Sequence, residues 1–312
     1  MTGPGRELSL PDRIRYAPML AQMVIIRRCN LRCGYCNEYD RVSPPVDEHL
    51  LLKRLDKLHS LGTFGVEFTG GEPLLHPALF RLLAHASGLG FITRWIITNA
   101  YLLREQTVAA LNAARLTHMQ ISIDGVEPNH VTVKVLKPLR KKLEMLAANA
   151  RFKVTISAVI GAAPPDEVWQ VIRFAREQGF RPRVLLVHDG EGKLTLDDRE
   201  KELFHELQRF LGRASKEAGN YRNRLITGAP APFKCRAGAR YLYIDEHGMV
   251  RWCSQKIGKF GKNLMDYTVE DLKEQFCTYK PCHPYCTLGC ARTASKLDEW
   301  RGQPIGREAQ VR

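Results

Sequence analysis

The chain has 312 residues, 44% hydrophobic and 26% charged, which excludes a disordered chain and allows one large domain or a domain with a smaller companion. Its 47 basic and 33 acidic residues give a formal net charge of +14 and favour acidic partners, from phosphorylated metabolites and acidic peptides to nucleic acid or anionic lipid headgroups. No apolar run is long enough to cross a bilayer and the first residues lack the apolar stretch of a signal peptide, so a cytoplasmic protein is expected.

In chain order, residues 1–20 read as an N-terminal arm. The segment Ala21–Arg27 reads as a strand, and Val46–Leu61 as a helix with Leu50, Leu51, Leu55 and Leu58 on one face. Strand patterns recur at Phe64–Thr69, Ile92–Thr98, His118–Ile123, Phe152–Ile160 and Arg183–His188. Helical patterns follow each of them, at Pro77–Ser87, Glu105–Ala114, Lys137–Asn149, Pro164–Gln178 and Asp197–Lys216. Consecutive strand–helix units imply a parallel sheet with right-handed crossovers, with ligands at the C-terminal ends of the strands. The core is expected over residues 21–218. Residues 219–234 lose helical periodicity and read as a linker to a cysteine-rich module at 235–312, which includes the C-terminal tail.

The nine cysteines are unevenly placed: three at 29–36, none at 37–234 and six at 235–290. Clustered cysteines in such a chain suggest two metal-binding regions rather than disulfides. The first is Cys29-Asn-Leu-Arg-Cys33-Gly-Tyr-Cys36, just after the first strand. Three thiolates can hold three irons of a [4Fe–4S] cluster and leave the fourth open to a ligand offering an amine and a carboxylate. A zinc site is the alternative, but zinc more often takes four ligands from two separate pairs.

This segment resembles the signature of the radical S-adenosylmethionine (SAM) superfamily, including the aromatic Tyr35 before the last cysteine. The resemblance implies that Cys29, Cys33 and Cys36 are iron ligands. It implies further that SAM on the open iron is cleaved reductively to a 5′-deoxyadenosyl radical, and that the fold is α/β, a partial (β/α)6 TIM-like barrel. Thr69-Gly70-Gly71-Glu72-Pro73 ends the second strand and resembles the family's motif for the SAM amino group. Glycines allow close backbone approach, and a carboxylate suits an ammonium. Thr98-Asn99 resembles a further family motif, with Ala100 in place of its glycine. Ser122, Asp124 and Ser157, at the ends of the fourth and fifth strands, are candidate SAM contacts on the same basis, against the plainer reading of satisfied core hydroxyls for the serines. The arginine that many relatives carry after the Asp–Gly is missing; His130, Lys134 and Lys137 in that region are candidates to replace it, against the plainer reading of surface residues.

Among the C-terminal cysteines, Cys235 and the hairpin ending in Cys253 resemble the opening of SPASM and twitch domains, and Cys282, Cys286 and Cys290 partly resemble their closing group. The resemblance implies one auxiliary [4Fe–4S] cluster held by Cys235, Cys253 and two of those three. Zinc, or two clusters using all six cysteines, are the alternatives. Cys277 reads as a buried thiol or, as a sharper hypothesis, a hydrogen-atom donor to a substrate radical. His188 and Asp189, with Tyr39 and Asp40, are candidate substrate contacts.

The expected activity is hydrogen abstraction from a polar peptide or small metabolite, leading to oxidation, epimerisation or cross-linking, with an electron donor such as flavodoxin or ferredoxin. Modification of an anionic lipid or nucleic acid is one alternative, motivated by charge. A non-catalytic Fe–S or zinc redox sensor is another, which predicts no 5′-deoxyadenosine.

Overall fold

The computed structural model describes residues 9–36, 39–188, 194–212 and 221–298. After a short helix, α1 (Leu10–Tyr16), strands and helices alternate: β1 (Leu20–Ile26), α2 (Glu48–Ser60), β2 (Gly65–Gly70), α3 (Leu79–Gly88), β3 (Thr93–Thr98) and α4 (Glu105–Ala113). The alternation continues with β4 (His118–Ser122), α5 (Arg140–Asn149), β5 (Lys153–Ile160), α6 (Pro165–Glu177), β6 (Arg181–Leu186) and α7 (Asp198–Leu211). These six strands lie side by side in the order β6-β5-β4-β3-β2-β1, all parallel, as in a partial (β/α)6 barrel.

The helices cover the sheet through their apolar stripes, for example Leu51, Leu55 and Leu58 of α2 and Val168, Val171 and Ile172 of α6, all fully buried. β6 begins at Arg181, two residues before the expected Arg183, and so contains Pro182. A proline is tolerated there because β6 is an edge strand.

The cysteine-rich region continues the same sheet. Residues 221–226, read from sequence as linker, form a helix, α8. β7 (Tyr241–Ile244) then pairs parallel with β1, with Gln22 opposite Tyr243, and β8 (Met249–Arg251) and β9 (Lys262–Asn263) follow antiparallel. The result is one nine-stranded sheet, completed by α9 (Val269–Cys277) and α10 (Gly289–Lys296). The buried Arg240 donates to the carbonyls of Ile14 and Ala17 at 2.7 Å each and pairs with Asp298 at 2.8 Å, tying α1 to this region.

Candidate active site

The loop after β1 is held from both sides. Asp40 N donates to Arg27 O and Cys29 N to Asp40 O, at 2.9 and 3.0 Å, while Gly34 N reaches across to Val131 O at 2.8 Å. Cys29, Cys33 and Cys36 thereby line one cavity of about 290 Å³ at the C-terminal ends of β2, β3 and β4. Burial raises the pKa of the Cys29 thiol, and Glu72 and Cys36 add to the rise, so binding a metal as thiolate would release a proton.

Gly70 and Gly71 form the adjoining wall. A side chain is excluded at both, because a Cβ would lie 1.9 Å from Ile26 O at Gly70 and 2.3 Å from Arg27 O at Gly71. Glu72 behaves differently from the sequence expectation of an ammonium partner. It is fully buried behind the glycines, where its carboxylate accepts from Thr98 Oγ1 at 2.7 Å, Asn99 N at 2.8 Å and Leu74 N at 3.0 Å. Glu72 thus braces the end of β3 against β2. Asn99, placed by that brace, donates to Asn30 Oδ1 at 2.8 Å and approaches Cys29 Sγ at 3.7 Å. Ala100 sits at φ +64°, the left-handed conformation that favours glycine.

Of the three candidates to replace the missing arginine, Lys134 is the one that the fold brings to the cavity. It is half-buried and lines the cavity. Its Nζ donates to Tyr35 Oη at 2.9 Å, Tyr35 Oη donates to Asp124 Oδ2 at 2.8 Å, and Thr132 Oγ1 donates to the same oxygen at 2.7 Å. Burial works against the ammonium, but Asp124 and the hydrogen bond to Tyr35 outweigh it and hold Lys134 above its ordinary pKa. Burial likewise lifts Tyr35, which stays a neutral phenol. Asp124 Oδ1 is buried without a hydrogen-bond partner. Tyr35 and Asp124 are legible from their motifs, whereas Lys134 is one of several basic residues after the Asp–Gly turn, where spacing alone does not distinguish burial from exposure.

Ser122 lines the cavity, whereas Ser157 is fully buried and donates to Ile121 O at 3.2 Å as a satisfied core hydroxyl. Tyr39 and His188 line the cavity, and Asp40 instead accepts from the backbone of Val42 and Ser43 at 3.0 and 2.9 Å; Asp189 lies outside the described residues. The C-terminal region supplies Ser254, Gln255 and Leu288 to the same wall. Gln255 contacts His188 Nε2 at 2.9 Å and donates to Thr287 Oγ1 at 3.1 Å, which binds that wall to the barrel rim.

Gln255 also borders a second cavity of about 790 Å³, lined by Cys253, Cys282 and Cys286. Cys235 lies beside these three, close enough for its charge to raise the pKa of Cys253 and Cys286 after burial has done so; both thiols are pushed up to about 12. Lys280, Arg236 and Arg292 sit close to this set and would offset the charge of four thiolates. Cys290, a candidate ligand by sequence, turns the other way, because the first turn of α10 points it at Glu67 and Arg183. Cys277 is neither buried nor in a cavity wall. It is exposed at the end of α9, not a buried thiol.

These features fit the groups that sequence suggested. Among the described residues, no three Cys, His, Asp or Glu side chains converge on a single point as a mononuclear ion requires. A cubane asks for something else, one thiolate per iron around an open space, and both cysteine cavities offer that. In the upper cavity, Gly70 and Gly71 line the wall beside the three thiols, and their lack of side chains lets the end of β2 pack against Ile26 O and Arg27 O. Lys134 lines the same wall, and the unpartnered Asp124 Oδ1 lies within its hydrogen-bonded group.

Comparison with known proteins agrees. The family model described as Radical SAM superfamily matches residues 23–204. A curated relative, the PqqA peptide cyclase of Bradyrhizobium diazoefficiens, is 38% identical over 113 residues, 35% of this chain and 30% of that protein, so the match spans under a third of the relative's length. The structure of Streptococcus suis SuiB bound to precursor peptide SuiA superposes with a TM-score of 0.62 at 19% identity, covering 87% of this chain and 67% of that one. The structure of anSMEcpe with bound AdoMet and a peptide superposes with a TM-score of 0.58 at 16% identity, covering 92% of each chain.

Proposed function

Because the chain belongs to the radical SAM superfamily, we propose that it modifies a peptide substrate by hydrogen abstraction, with a [4Fe–4S] cluster held by Cys29, Cys33 and Cys36 and with SAM beside it. Bound together, that cluster and SAM supply a 5′-deoxyadenosyl radical on one-electron reduction by a donor such as flavodoxin or ferredoxin. The observation that carries the reading is a single cavity walled by the three cysteines, Gly70, Gly71, Asn99, Ser122 and Lys134.

In this reading each side chain has a task. Gly70 and Gly71 present bare backbone to the methionine moiety, and Lys134 neutralises its carboxylate in place of the missing arginine. Tyr35 and, through it, Asp124 hold the ammonium of Lys134 at its post. Glu72 keeps Thr98 and Asn99 in register. Leu288, Ser254 and Gln255 narrow the mouth and exclude water.

An auxiliary [4Fe–4S] cluster held by Cys235, Cys253, Cys282 and Cys286 belongs to the same proposal, separated from the first cavity by the segment Cys253–Gln255 that borders both. The peptide substrate is supported by the names of PqqA peptide cyclase and of SuiB bound to its precursor peptide. Among the described residues no helix is long and apolar enough to cross a membrane.

Anaerobic reconstitution with iron and sulfide, followed by SAM and dithionite, tests this. The wild type should form 5′-deoxyadenosine and the Cys29/Cys33/Cys36→Ala variant none. An iron-loaded wild type that leaves SAM intact would sink the proposal.

A further inference from the structure

Two residues before each of three positions lining the upper cavity, the strands carry Glu67, Trp95 and Gln120, preceding Thr69, Ile97 and Ser122. Strand alternation puts each pair on one face, about 7 Å apart along the strand. With Thr155 they line a lower chamber of about 260 Å³, inside the same sheet and beneath the first. Its far wall is Arg222 of α8 and the first turn of α10, Gly289 and Cys290.

The charges in this chamber are unbalanced. Arg183 Nη1 donates to Gln120 Oε1 at 2.8 Å and Arg222 Nη1 to Val184 O at 3.1 Å. Their other nitrogens converge: a Cβ placed on Gly289 would lie 2.8 Å from Arg183 Nη2 and 3.6 Å from Arg222 Nη2. Both guanidinium groups thus crowd the positive end of a helix whose N-cap, Leu288, makes no side-chain hydrogen bond to it. Opposite stands Glu67, 4% exposed, with Oε1 buried and unpartnered. Burial lifts its carboxyl to about 7, against the pull of Arg183. The arginines and helix end favour an anion, and Glu67 accepts a hydrogen bond but disfavours a dianion such as phosphate.

We propose that the lower chamber binds a carboxylate-bearing part of the substrate, with the carboxylate between Arg183, Arg222 and the first turn of α10, and a neighbouring N–H donating to Glu67 Oε1. That the ligand arrives on a peptide rests on the function proposed above. A peptide offers this chemistry from an acidic side chain or from its C-terminus, each with a backbone N–H nearby, and the chamber holds a group of amino-acid size.

The test is equilibrium binding to the purified full chain, without SAM or reductant, of Ac-Ala-Asp-Ala-NH2, Ac-Ala-Ala-Ala-OH, the neutral Ac-Ala-Ala-Ala-NH2 and orthophosphate. One of the two carboxylate peptides should bind at least tenfold more tightly than the neutral one, and which of them does identifies the source. Arg183→Gln should weaken that binding at least tenfold. Gly289→Ala, a change that suits a helix and only displaces the two guanidinium groups, should do the same if Arg183→Gln fails to fold. The proposal is overturned by equal binding of all three peptides, by tighter binding of phosphate, or by binding that the folded variants leave unchanged. Since no SAM chemistry enters this measurement, a chain that binds the carboxylate yet never forms 5′-deoxyadenosine refutes the proposed function alone.

Discussion

Lys134 and Tyr35 lie 99 residues apart in the chain and meet at 2.9 Å, the ammonium donating to a phenol that itself donates to Asp124. A half-buried ammonium that donates to one phenol has donors to spare, since it carries three. In the cavity wall, beside the cysteine loop, that spare capacity is the feature a carboxylate ligand would use.

Lys134→Met should therefore weaken SAM binding at least tenfold, about 1.4 kcal/mol, while the iron bound by Cys29, Cys33 and Cys36 is retained. Lys134→Arg should recover part of the loss. Equilibrium dialysis with labelled SAM, alongside iron counting, decides it; unchanged affinity in the methionine variant removes Lys134 from the SAM site.

Iron counting also separates the C-terminal cysteines. Cys286→Ala should lower the content by about four irons per chain, the complement of one cubane, while Cys290→Ala leaves it unchanged. The reverse result would move the auxiliary site toward the lower chamber, where Cys290 lies beside Glu67.

Ala100 holds φ +64° with no exposure to solvent, directly after the Asn99 that supports the cysteine loop. A β-branched residue is a steric outlier in that conformation. Ala100→Val should cost at least about 2 kcal/mol in denaturant unfolding, combining backbone strain with overpacking, and Ala100→Gly should change stability by less than about 1 kcal/mol. Equal effects of the two would mean that the backbone there is not left-handed.

Glu67 gives the stability a pH signature. Its carboxyl is lifted from an ordinary 4.5 to about 7 in the folded chain, so between those values the folded state holds a proton that the unfolded state has lost. Stability from this group is thus full below pH 4.5, falls as pH rises through the window, and is level above 7. Glu67→Gln abolishes the fall, and relative to wild type it should gain on the order of 3 kcal/mol between pH 4.5 and pH 8. Denaturant melts of both proteins across that range provide the check; parallel curves would show Glu67 titrating as an ordinary surface acid.

Much of this protein is decided by local order. The period-two and period-3.6 patterns place the barrel strands and helices to within a few residues, the expected end of α7 at Lys216 lying outside the described residues, because each element buries its own apolar face whatever its neighbours are. The grouping of Cys29, Cys33 and Cys36 follows from spacing so short that one loop must carry all three thiols, and Gly70–Gly71 marks a close backbone approach that any side chain would block. Only the folded chain decides relations between distant segments. Lys134 looks like a surface residue until the loop after β4 folds it onto Tyr35, and Glu72 looks like an ammonium partner until Thr98 and Asn99 fill its oxygens. Likewise, Cys286 and Cys290 are four residues apart, yet Cys286, extended before α10, lies toward Cys253 and Cys290, in the first turn of α10, toward Glu67. The physical reason is shared by all three: short-range patterns report which face of an element is buried, but the partner that meets a buried polar group comes from another element, and only packing brings the two together.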